Sequence, residues 1–265
     1  MDLQLSGKKA LVTGSSAGIG YAIARTLAAE GARVVVNGRS TDTTQAAVAR
    51  LRADLGADAP LLAFAGDLGD AQGCSAMLTA HPDADILVNN LGIFEPKPFE
   101  VIPDEDWLRF FEVNVMSGVR LSRHYLPRMK ASGWGRIVFI SSESGLCPPA
   151  EMVHYGMSKT AQLSIARGMA ETTTGTSVTV NSVLPGPTRT EGVQAFFAKL
   201  AAEQGQSTEQ FVQHFFESAR PTSILKRLID PAEVAAVVAF VCSPQAAAIN
   251  GAAVRAEGGV VRCMG

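Results

Sequence analysis

The chain has 265 residues, of which 47% are hydrophobic and 18% charged, so it contains enough apolar material for a large buried core. The formal net charge at pH 7 is only −2 and no basic stripe is visible, which argues against a nucleic-acid partner. The four cysteines lack metal-ligand spacing, and no apolar run is long enough to cross a bilayer. We therefore expect no metal site, no membrane association and no disulfide framework, and a cytoplasmic location.

Short apolar runs typical of buried strands alternate with helical patterns along the chain. In order, we predict strand 9–12, helix 19–30, strand 33–36, helix 43–55, strands 61–65 and 85–88, helix 105–130, strand 136–140, helix 155–172 and strand 178–183. Strands that are apolar on both sides belong to a parallel sheet covered by helices on both faces. The sequence thus predicts one α/β domain over residues 1–265, a doubly wound, three-layer α/β/α Rossmann fold.

The segment from about residue 190 to 229 departs from this alternation. Its pattern is helical, it has no strand, and it carries Phe196, Phe197, Phe211, Phe215 and Phe216. One interpretation is a helical substrate lid, inserted over the edge of the sheet where ligands of such folds bind. The sequence favours equally a helical hairpin that packs on the core or on a neighbouring subunit.

A glycine-rich turn connects the first strand to the first helix, where residues 13–20 are Thr-Gly-Ser-Ser-Ala-Gly-Ile-Gly. Glycines allow backbone N–H groups to approach a pyrophosphate closely, and the helix N-terminus adds partial positive charge. The spacing G-x3-G-x-G differs from the usual G-x-G-x-x-G fingerprint, and glycine also serves ordinary turns. Its place in the first βα unit nevertheless favours dinucleotide binding through Gly14, Ser15, Ser16, Gly18, Ile19 and Gly20.

The end of the second strand predicts which dinucleotide is preferred. NAD enzymes normally place a carboxylate there to hold the adenosine ribose, but residues 36–40 contain no acid. Arg39 stands where a 2′-phosphate would lie, and arginine binds phosphate through charge and a planar fork of donors. A single arginine can equally be a solvated surface residue. We therefore predict NADP(H) as the preferred cofactor, with NAD(H) possible.

Two further loops follow strands at the same edge of the sheet. Asp67 and Leu68 close the third strand, and Asn90 and Gly92 follow the fourth. Asparagine side chains can fix a loop backbone, and a glycine admits a ligand close to it. Each loop alone is ordinary, but with the glycine-rich turn they line one edge. We predict that these four residues contact the dinucleotide.

Tyr155 and Lys159 lie four residues apart in a predicted helix, so their side chains share one face. A phenol has an ordinary pKa of about 10, and a nearby ammonium, joined by an oxidised nicotinamide, favours the phenolate and lowers that pKa. Such a tyrosine can give a proton to a carbonyl oxygen or take one from an alcohol. Ser142 follows the strand at 136–140, from where its hydroxyl can hydrogen-bond the same oxygen. The pattern predicts proton transfer at a carbonyl or alcohol.

These motifs occur together in the order typical of one family. The chain resembles the short-chain dehydrogenase/reductase family in its single-domain form, over essentially its whole length, and especially its 3-oxoacyl-carrier-protein reductase-like members. The resemblance rests on residues 13–20, Asp67, Asn89, Asn90, Gly92, Asn114, Ser142, Tyr155, Lys159, Asn181, Pro185 and Gly186.

The resemblance implies hydride transfer between a nicotinamide cofactor and a carbonyl or alcohol substrate, with Tyr155 as general acid and base. Ser142 would orient the substrate oxygen, and Lys159 would hold the nicotinamide ribose. Asn114 would hold a water that links Lys159 to solvent. The nicotinamide and its neighbouring phosphate would be contacted by Pro185, Gly186, Thr188 and Thr190.

Two other functions fit parts of the sequence. A catalytically silent nucleotide-binding regulator could share the fold, but all four catalytic positions carry chemically competent residues. A serine hydrolase built on Ser142 and His154 lacks the G-x-S-x-G elbow, and His154 adjoins Tyr155 on a helix, so the two side chains diverge. The sequence therefore favours the oxidoreductase.

The partners that we expect are a small carbonyl or alcohol substrate and further copies of the chain. Residues 143–154 and the aromatic helices after Thr190 are the predicted substrate lining, which suggests an apolar or mixed pocket without identifying the substrate. The resemblance implies a homotetramer, or less often a homodimer, assembled through long helices such as 105–130.

Overall fold

A computed structural model describes residues 2–264, and its central feature is a parallel sheet of seven strands. The strands are β1 (Lys9–Val12), β2 (Arg33–Gly38), β3 (Leu61–Ala65), β4 (Ile86–Asn89), β5 (Gly135–Ile140), β6 (Val178–Pro185) and β7 (Ala253–Ala256). They lie in the order β3-β2-β1-β4-β5-β6-β7, with every neighbouring pair parallel. The strand order reverses between β1 and β4, which opens a crevice for ligands at their carboxyl ends.

The sheet is covered on both faces by helices. The helices are α1 (Gly18–Ala29), α2 (Thr41–Leu55), α3 (Ala71–Ala80), α4 (Asp104–Phe110), α5 (Ser117–Ser132), α6 (Val153–Glu171), α7 (Glu191–Glu203), α8 (Thr208–Ser218) and α9 (Pro231–Cys242). Alternate residues of β1 face opposite sides of the sheet, because Ala10 and Val12 pack with α1, α2 and α9, whereas Leu11 packs with α3, α5 and α6. The predicted doubly wound, three-layer Rossmann fold is thereby confirmed.

The helix predicted at 105–130 is present, but it contains a π-helical turn that the sequence does not predict. The structure divides it into α4, a π-helical segment at Phe111–Met116, and α5. A single wide turn shifts the apolar pattern by about one residue, so sequence periodicity does not show it. The segment contains Asn114, whose buried side chain is directed toward the candidate site.

The sequence does not predict α3 and α9. α9 begins at Pro231 behind a capping box formed by Asp230 and Glu233, but its run 234–242 is apolar all round and shows no helical period. α3 is short and contains Gly73, and its N-cap Asp70 accepts a hydrogen bond from the Gly73 N–H. Both helices therefore depend on packing more than on a visible pattern.

Residues 190–229 contain α7 and α8, followed by a non-helical stretch from Ala219 to Ile229. Phe197, Ala201 and Phe211 form an apolar cluster of their own, separate from the two clusters that flank the sheet. The helical pattern of the first part is present in the structure, and the role of these helices as a substrate lid stays a prediction.

Two kinds of feature are absent from residues 2–264, the part of the chain that the structure describes. None of its helices combines the length and the apolar character that crossing a bilayer requires. None of its groups of three or more histidine, cysteine, aspartate or glutamate side chains is arranged to hold a metal ion.

Candidate active site

The carboxyl ends of the central strands surround a cavity of about 750 Å³. The first turn of α1, the start of α6 and the helices α7 and α8 complete its walls. The sequence-predicted residues that line it are Gly18, Ile19, Gly20, Asn90, Gly92, Ser142, Tyr155, Lys159, Pro185, Gly186, Thr188 and Thr190. The other predicted residues are not part of this lining: Gly14, Ser15, Ser16, Arg39, Asp67, Leu68 and Asn114.

The glycine-rich turn has a backbone that side chains would disturb. Gly14 and Gly18 have φ angles of +58° and +56°, in the left-handed region that favours glycine. A Cβ atom at Gly20 would lie 2.4 Å from both Asn90 Nδ2 and Gly14 O. The turn therefore brings its backbone close to whatever occupies the cavity.

Side-chain hydrogen bonds hold the backbone of this turn in place. Asn37 Oδ1 accepts a hydrogen bond from Gly14 N (2.9 Å), and Asn90 Nδ2 donates to Thr13 O (2.9 Å) and Gly14 O (3.1 Å). The Ser15 hydroxyl donates to Val12 O (2.7 Å) and accepts from Asn37 N (2.8 Å), so the turn itself uses it. Asn37 is a residue whose role the sequence does not show, because its partners come from β1, β2 and β3.

The N-terminus of α1 already faces an anion. The Ala17 N-cap contributes no side-chain hydrogen bond, and Gly18 N donates instead to the Glu191 carboxylate at the start of α7 (3.1 Å). Helix N-termini bind anions through free N–H groups and the helix dipole. The carboxylate marks the position at which a pyrophosphate oxygen would be held, so the turn fits a dinucleotide.

Arg39 and Asp67 follow neighbouring strands near this turn. Arg39 is exposed directly after β2, and a Cβ atom at Gly38 would lie 3.2 Å from the Ser16 side chain. Asp67 is exposed, and its Oδ1 accepts a hydrogen bond from Gly69 N (2.9 Å), while Leu68 is buried. Arg39 is therefore free to meet a phosphate beside the turn.

The nicotinamide end of the predicted groove follows β6. Gly186 N donates to Ala256 O (3.2 Å), and a Cβ atom at Gly186 would lie 2.5 Å from Glu257 O, so this close passage of two backbones requires glycine. Thr188 is buried and donates to Gly186 O (2.8 Å), and Thr190 caps α7. The loop is held rigidly beside the cavity.

Ser142, Tyr155 and Lys159 meet at the floor of the cavity. The Lys159 ammonium is buried, donates to Ile140 O (2.9 Å) and Gln162 Oε1 (3.3 Å), and lies 5.6 Å from the centroid of the Tyr155 ring. Burial lowers the pKa of Lys159 to about 8, an effect that the charge of Glu143 opposes. The structure thus brings the three predicted catalytic residues together.

The pKa of Tyr155 is raised in this structure, in contrast to the lowering that the sequence analysis expects beside an ammonium and an oxidised nicotinamide. Burial of the phenol is the main influence and raises its pKa, and the negative charge of Glu143 raises it further. Interaction with Ser142 and the charge of Arg220 act in the opposite direction but are weaker. Tyr155 is therefore protonated at neutral pH.

Asn114 is joined to Lys159 by a side chain that the sequence analysis missed. Gln162 Nε2 donates to Asn114 O (2.6 Å) while Gln162 Oε1 accepts from Lys159. The Asn114 side chain donates to Ser158 Oγ (2.9 Å) and Ile93 O (3.0 Å), and accepts from Ile93 N (2.8 Å). Gln162 lies one helical turn after Lys159 on the same face of α6. The water that the resemblance implies at Asn114 stays a prediction.

A buried ion pair beside Ser142 was also missed. Glu143 is 5% exposed and Arg220 is 9% exposed, and Arg220 Nε lies 3.3 Å from Glu143 Oε1. Arg220 Nη1 also lies 3.0 Å from Glu151 Oε1. A buried charge is a signal of a functional site only once its burial is known, and no local sequence pattern shows that burial.

His154 takes no part in this constellation. Its ring is fully buried against Phe110, with the ring centroids 4.1 Å apart, and burial lowers its pKa. Its nitrogens make no hydrogen bond to residues 2–264, and therefore none to Ser142. This position removes the base that the serine hydrolase alternative needs.

A Rossmann sheet with an anion-binding first turn and a Tyr–Lys pair is typical of dinucleotide-dependent oxidoreductases. Residues 8–201 match the family model described as short chain dehydrogenase. The chain belongs to the short-chain dehydrogenase/reductase family and is an oxidoreductase.

Individual relatives agree with this assignment. An uncharacterized oxidoreductase of Bacillus subtilis, YvaG, is 51% identical over 262 residues, covering 99% of each chain. The 3-oxoacyl-[acyl-carrier-protein] reductase FabG of Vibrio cholerae is 34% identical over 262 residues, covering 97% of this chain and 99% of that protein. The structure of L-sorbose reductase from Gluconobacter frateurii, complexed with NADPH and L-sorbose, superposes with a TM-score of 0.92 at 30% identity and full coverage of both chains. The predicted family is confirmed, and nothing supports a silent regulator.

Proposed function

We propose that the protein is an NADP(H)-preferring reductase or dehydrogenase that interconverts a carbonyl and an alcohol in a small molecule, with Tyr155 as general acid and base. The observation that carries this proposal is the meeting of Ser142, Tyr155 and the buried Lys159 at the floor of one cavity. The NADPH bound to L-sorbose reductase gives independent support for the cofactor.

The chain's own residues supply binding and proton transfer. When bound, NADPH supplies the hydride that reduces the carbonyl carbon. Tyr155, protonated at neutral pH, gives its proton to the carbonyl oxygen, and Ser142 orients that oxygen by a hydrogen bond. Lys159 places positive charge beside the phenol as its oxygen becomes negative. Gln162 holds the Lys159 ammonium against the backbone of Asn114.

The cofactor groove is proposed to run from Arg39 to the loop after β6. The pyrophosphate would replace the Glu191 carboxylate at Gly18 N, where an anion already fits. Thr188, Thr190, Pro185 and Gly186 would border the nicotinamide end. Arg39 would bind the 2′-phosphate that distinguishes NADP(H) from NAD(H). Ser16, Asp67, Leu68 and the other predicted contacts are proposed to line the adenosine half.

Replacing Tyr155 with phenylalanine tests the proposed acid–base role. The change removes the proton and little of the shape, so turnover should fall by about 10²–10⁴-fold, the usual contribution of general acid catalysis. NADPH affinity, measured by fluorescence titration, should change little. Tyr125→Phe is a suitable control, because the Tyr125 hydroxyl donates to His81 O, a residue outside the cavity lining. Turnover near the unmodified rate in Tyr155→Phe would remove this role.

Replacing Arg39 with alanine tests the cofactor preference. Loss of a charged contact to phosphate should weaken NADPH by about 1.5–3 kcal/mol, or about 10- to 150-fold, and leave NADH nearly unchanged. Calorimetric titration with both cofactors gives the two affinities. Arg33→Ala, at the opposite end of β2, should affect neither cofactor. Equal losses for NADPH and NADH in Arg39→Ala would show that Arg39 does not bind the 2′-phosphate.

A further inference from the structure

Glu143 presents a buried carboxylate to the substrate side of the cavity. Its Oε2 accepts a hydrogen bond from the Ser142 hydroxyl (2.5 Å), and its Oε1 lies 3.3 Å from Arg220 Nε. A buried carboxylate is unfavourable unless donors satisfy its lone pairs. One of these donors is the hydroxyl that, in the proposed function, has to turn toward the substrate oxygen.

Without substrate, the Ser142 hydroxyl therefore already donates its hydrogen bond to Glu143. Ser142 Oγ also accepts a hydrogen bond from Ser144 N (3.1 Å), so its one proton is directed to Glu143. Turning that proton to a carbonyl oxygen leaves Glu143 Oε2 without a donor, which costs free energy. A substrate with an O–H group beside its carbonyl can supply the missing donor and release Ser142. A simple ketone cannot do so.

The charges near Glu143 disfavour a substrate anion at the same place. Arg220 lies between Glu143 and Glu151, so the three side chains together carry a net charge of one negative unit. A substrate carboxylate beside Glu143 would add a second negative charge in a buried setting. The neutral donor of a hydroxyl group satisfies the site without this repulsion.

Another part of the cavity lining is apolar. It is formed by aromatic side chains from the loop after β4 and from α7 and α8, with the Phe94 and Phe196 ring centroids 6.2 Å apart. Such a wall suits the apolar body of a substrate. The aromatic side chains that line it are Phe94, Phe196, Phe197, Phe211 and Phe215.

We propose, on the basis of the proposed function, that Glu143 determines substrate specificity. It selects ketones that carry a hydroxyl group on the carbon next to the carbonyl and that have an apolar body, and it rejects keto acids. Glu143 Oε2 accepts a hydrogen bond from the substrate O–H, and the Ser142 hydroxyl, which keeps its proton, turns its hydrogen bond from Glu143 to the substrate carbonyl oxygen. Arg220 holds the carboxylate in place from the other side.

Three phenyl ketones test this selection in the unmodified protein. Hydroxymethyl phenyl ketone has the donor, methoxymethyl phenyl ketone has the same oxygen without the donor, and phenylglyoxylate has a carboxylate instead. With NADPH oxidation as the readout, kcat/KM should be about tenfold higher for the hydroxy than for the methoxy compound, as expected for one hydrogen bond to a charged group. Phenylglyoxylate should be the poorest substrate of the three.

The variant Glu143→Gln tests the residue. The hydroxy-to-methoxy ratio of kcat/KM should fall about tenfold, and phenylglyoxylate should improve relative to the other two because a negative charge is gone. A purely structural role would lower all three values together and leave their ratios unchanged. Glu151→Gln is the matched control and should leave the hydroxy-to-methoxy ratio of kcat/KM unchanged. Glu151 also contacts Arg220, but the Ser142 hydroxyl donates to Glu143 and not to Glu151.

The outcomes separate this inference from the proposed function. Turnover of the hydroxy and methoxy ketones within about threefold of each other overturns the selection by Glu143 and leaves the oxidoreductase role in place. The same conclusion follows if Glu143→Gln keeps the unmodified ratios. The absence of NADPH oxidation with every ketone, together with no NADP⁺ reduction by the matching alcohols, overturns the proposed function as well. If Glu143→Gln does not fold, the hydroxy-to-methoxy ratio of kcat/KM in the unmodified protein tests the proposal instead.

Discussion

Among the individual residues of the site, Lys159 is one whose burial lowers the stability of the fold. Its ammonium is 4% exposed and is satisfied by a backbone carbonyl and by Gln162, without a carboxylate in contact. Burial lowers its pKa to about 8, whereas the unfolded chain has the ordinary lysine value near 10.4. The folded state therefore binds a proton at Lys159 less tightly than the unfolded state does.

Replacing Lys159 with methionine should stabilise the fold at pH 7 while abolishing turnover. The variant removes a buried charge, and we expect the free energy of unfolding to rise by about 1–3 kcal/mol in urea titrations. Between about pH 8 and 10.4 the unfolded state binds more protons at Lys159 than the folded state, so the unmodified protein gains stability with rising pH. The difference between the two proteins should shrink over that window.

A matched control isolates this effect from other groups that titrate at high pH. Lys199→Met changes a lysine on α7 whose side chain is 75% exposed, so it should shift stability little and equally at each pH. A constant difference between Lys159→Met and the unmodified protein from pH 7 to 10.4 would contradict a depressed Lys159 pKa.

At the scale of elements, the important contact is between the first turns of α1 and α7. The Glu191 carboxylate accepts a hydrogen bond from Gly18 N, and a Cβ atom at Gly18 would lie 3.2 Å from Thr190. Cofactor phosphate and the Glu191 carboxylate are both anions and require the same N–H group. Cofactor binding and the position of α7 are thus expected to be coupled.

Replacing Glu191 with glutamine should tighten NADPH binding about two- to fivefold, because the competing charge at the helix N-terminus contributes about 0.3–1 kcal/mol. Fluorescence titration at low ionic strength measures the change, and added salt should reduce it. Glu203→Gln, at the other end of α7, carries the same charge change away from the turn and should have no effect. Weaker NADPH binding in Glu191→Gln would show that this carboxylate assists the cofactor.

For the whole molecule, the relevant feature is a group of exposed apolar side chains in residues 94–111. Phe99, Val101, Leu108 and Phe111 are 57%, 62%, 69% and 40% exposed, an unusual concentration of apolar side chains on one stretch of chain. It includes α4, at the start of the region that the resemblance implied for assembly. We propose that this surface is buried between copies of the chain in a homotetramer or homodimer.

Replacing Leu108 with aspartate should shift the protein to a smaller species in size-exclusion chromatography with light scattering, because a charge would be desolvated in the interface. Ala46→Asp, at an exposed position of α2, is the control and should leave the assembly unchanged. An unmodified protein that is already a monomer, or a Leu108→Asp variant of unaltered size, would place the interface elsewhere.

The sequence alone predicts the alternation of strands and helices, the glycine-rich turn, the loops that follow the strands and the Tyr155–Lys159 pair. These features are local, because burial on both faces, positive φ angles and a four-residue helical spacing each leave their mark within a few neighbouring residues. The sequence does not predict the π-helical turn or the helices α3 and α9, because their residues show no regular period.

Which polar groups bond to one another follows from the tertiary structure and not from the local sequence. Gln162 reaches Asn114 across 48 residues of sequence, Arg220 reaches Glu143 across 77, and Glu191 reaches Gly18 across 173. The same is true of the Tyr155 pKa, which follows from burial and from Glu143 more than from the lysine four residues away. Burial and long-range charge arise when the loops close over the edge of the sheet, and no local pattern records how they close.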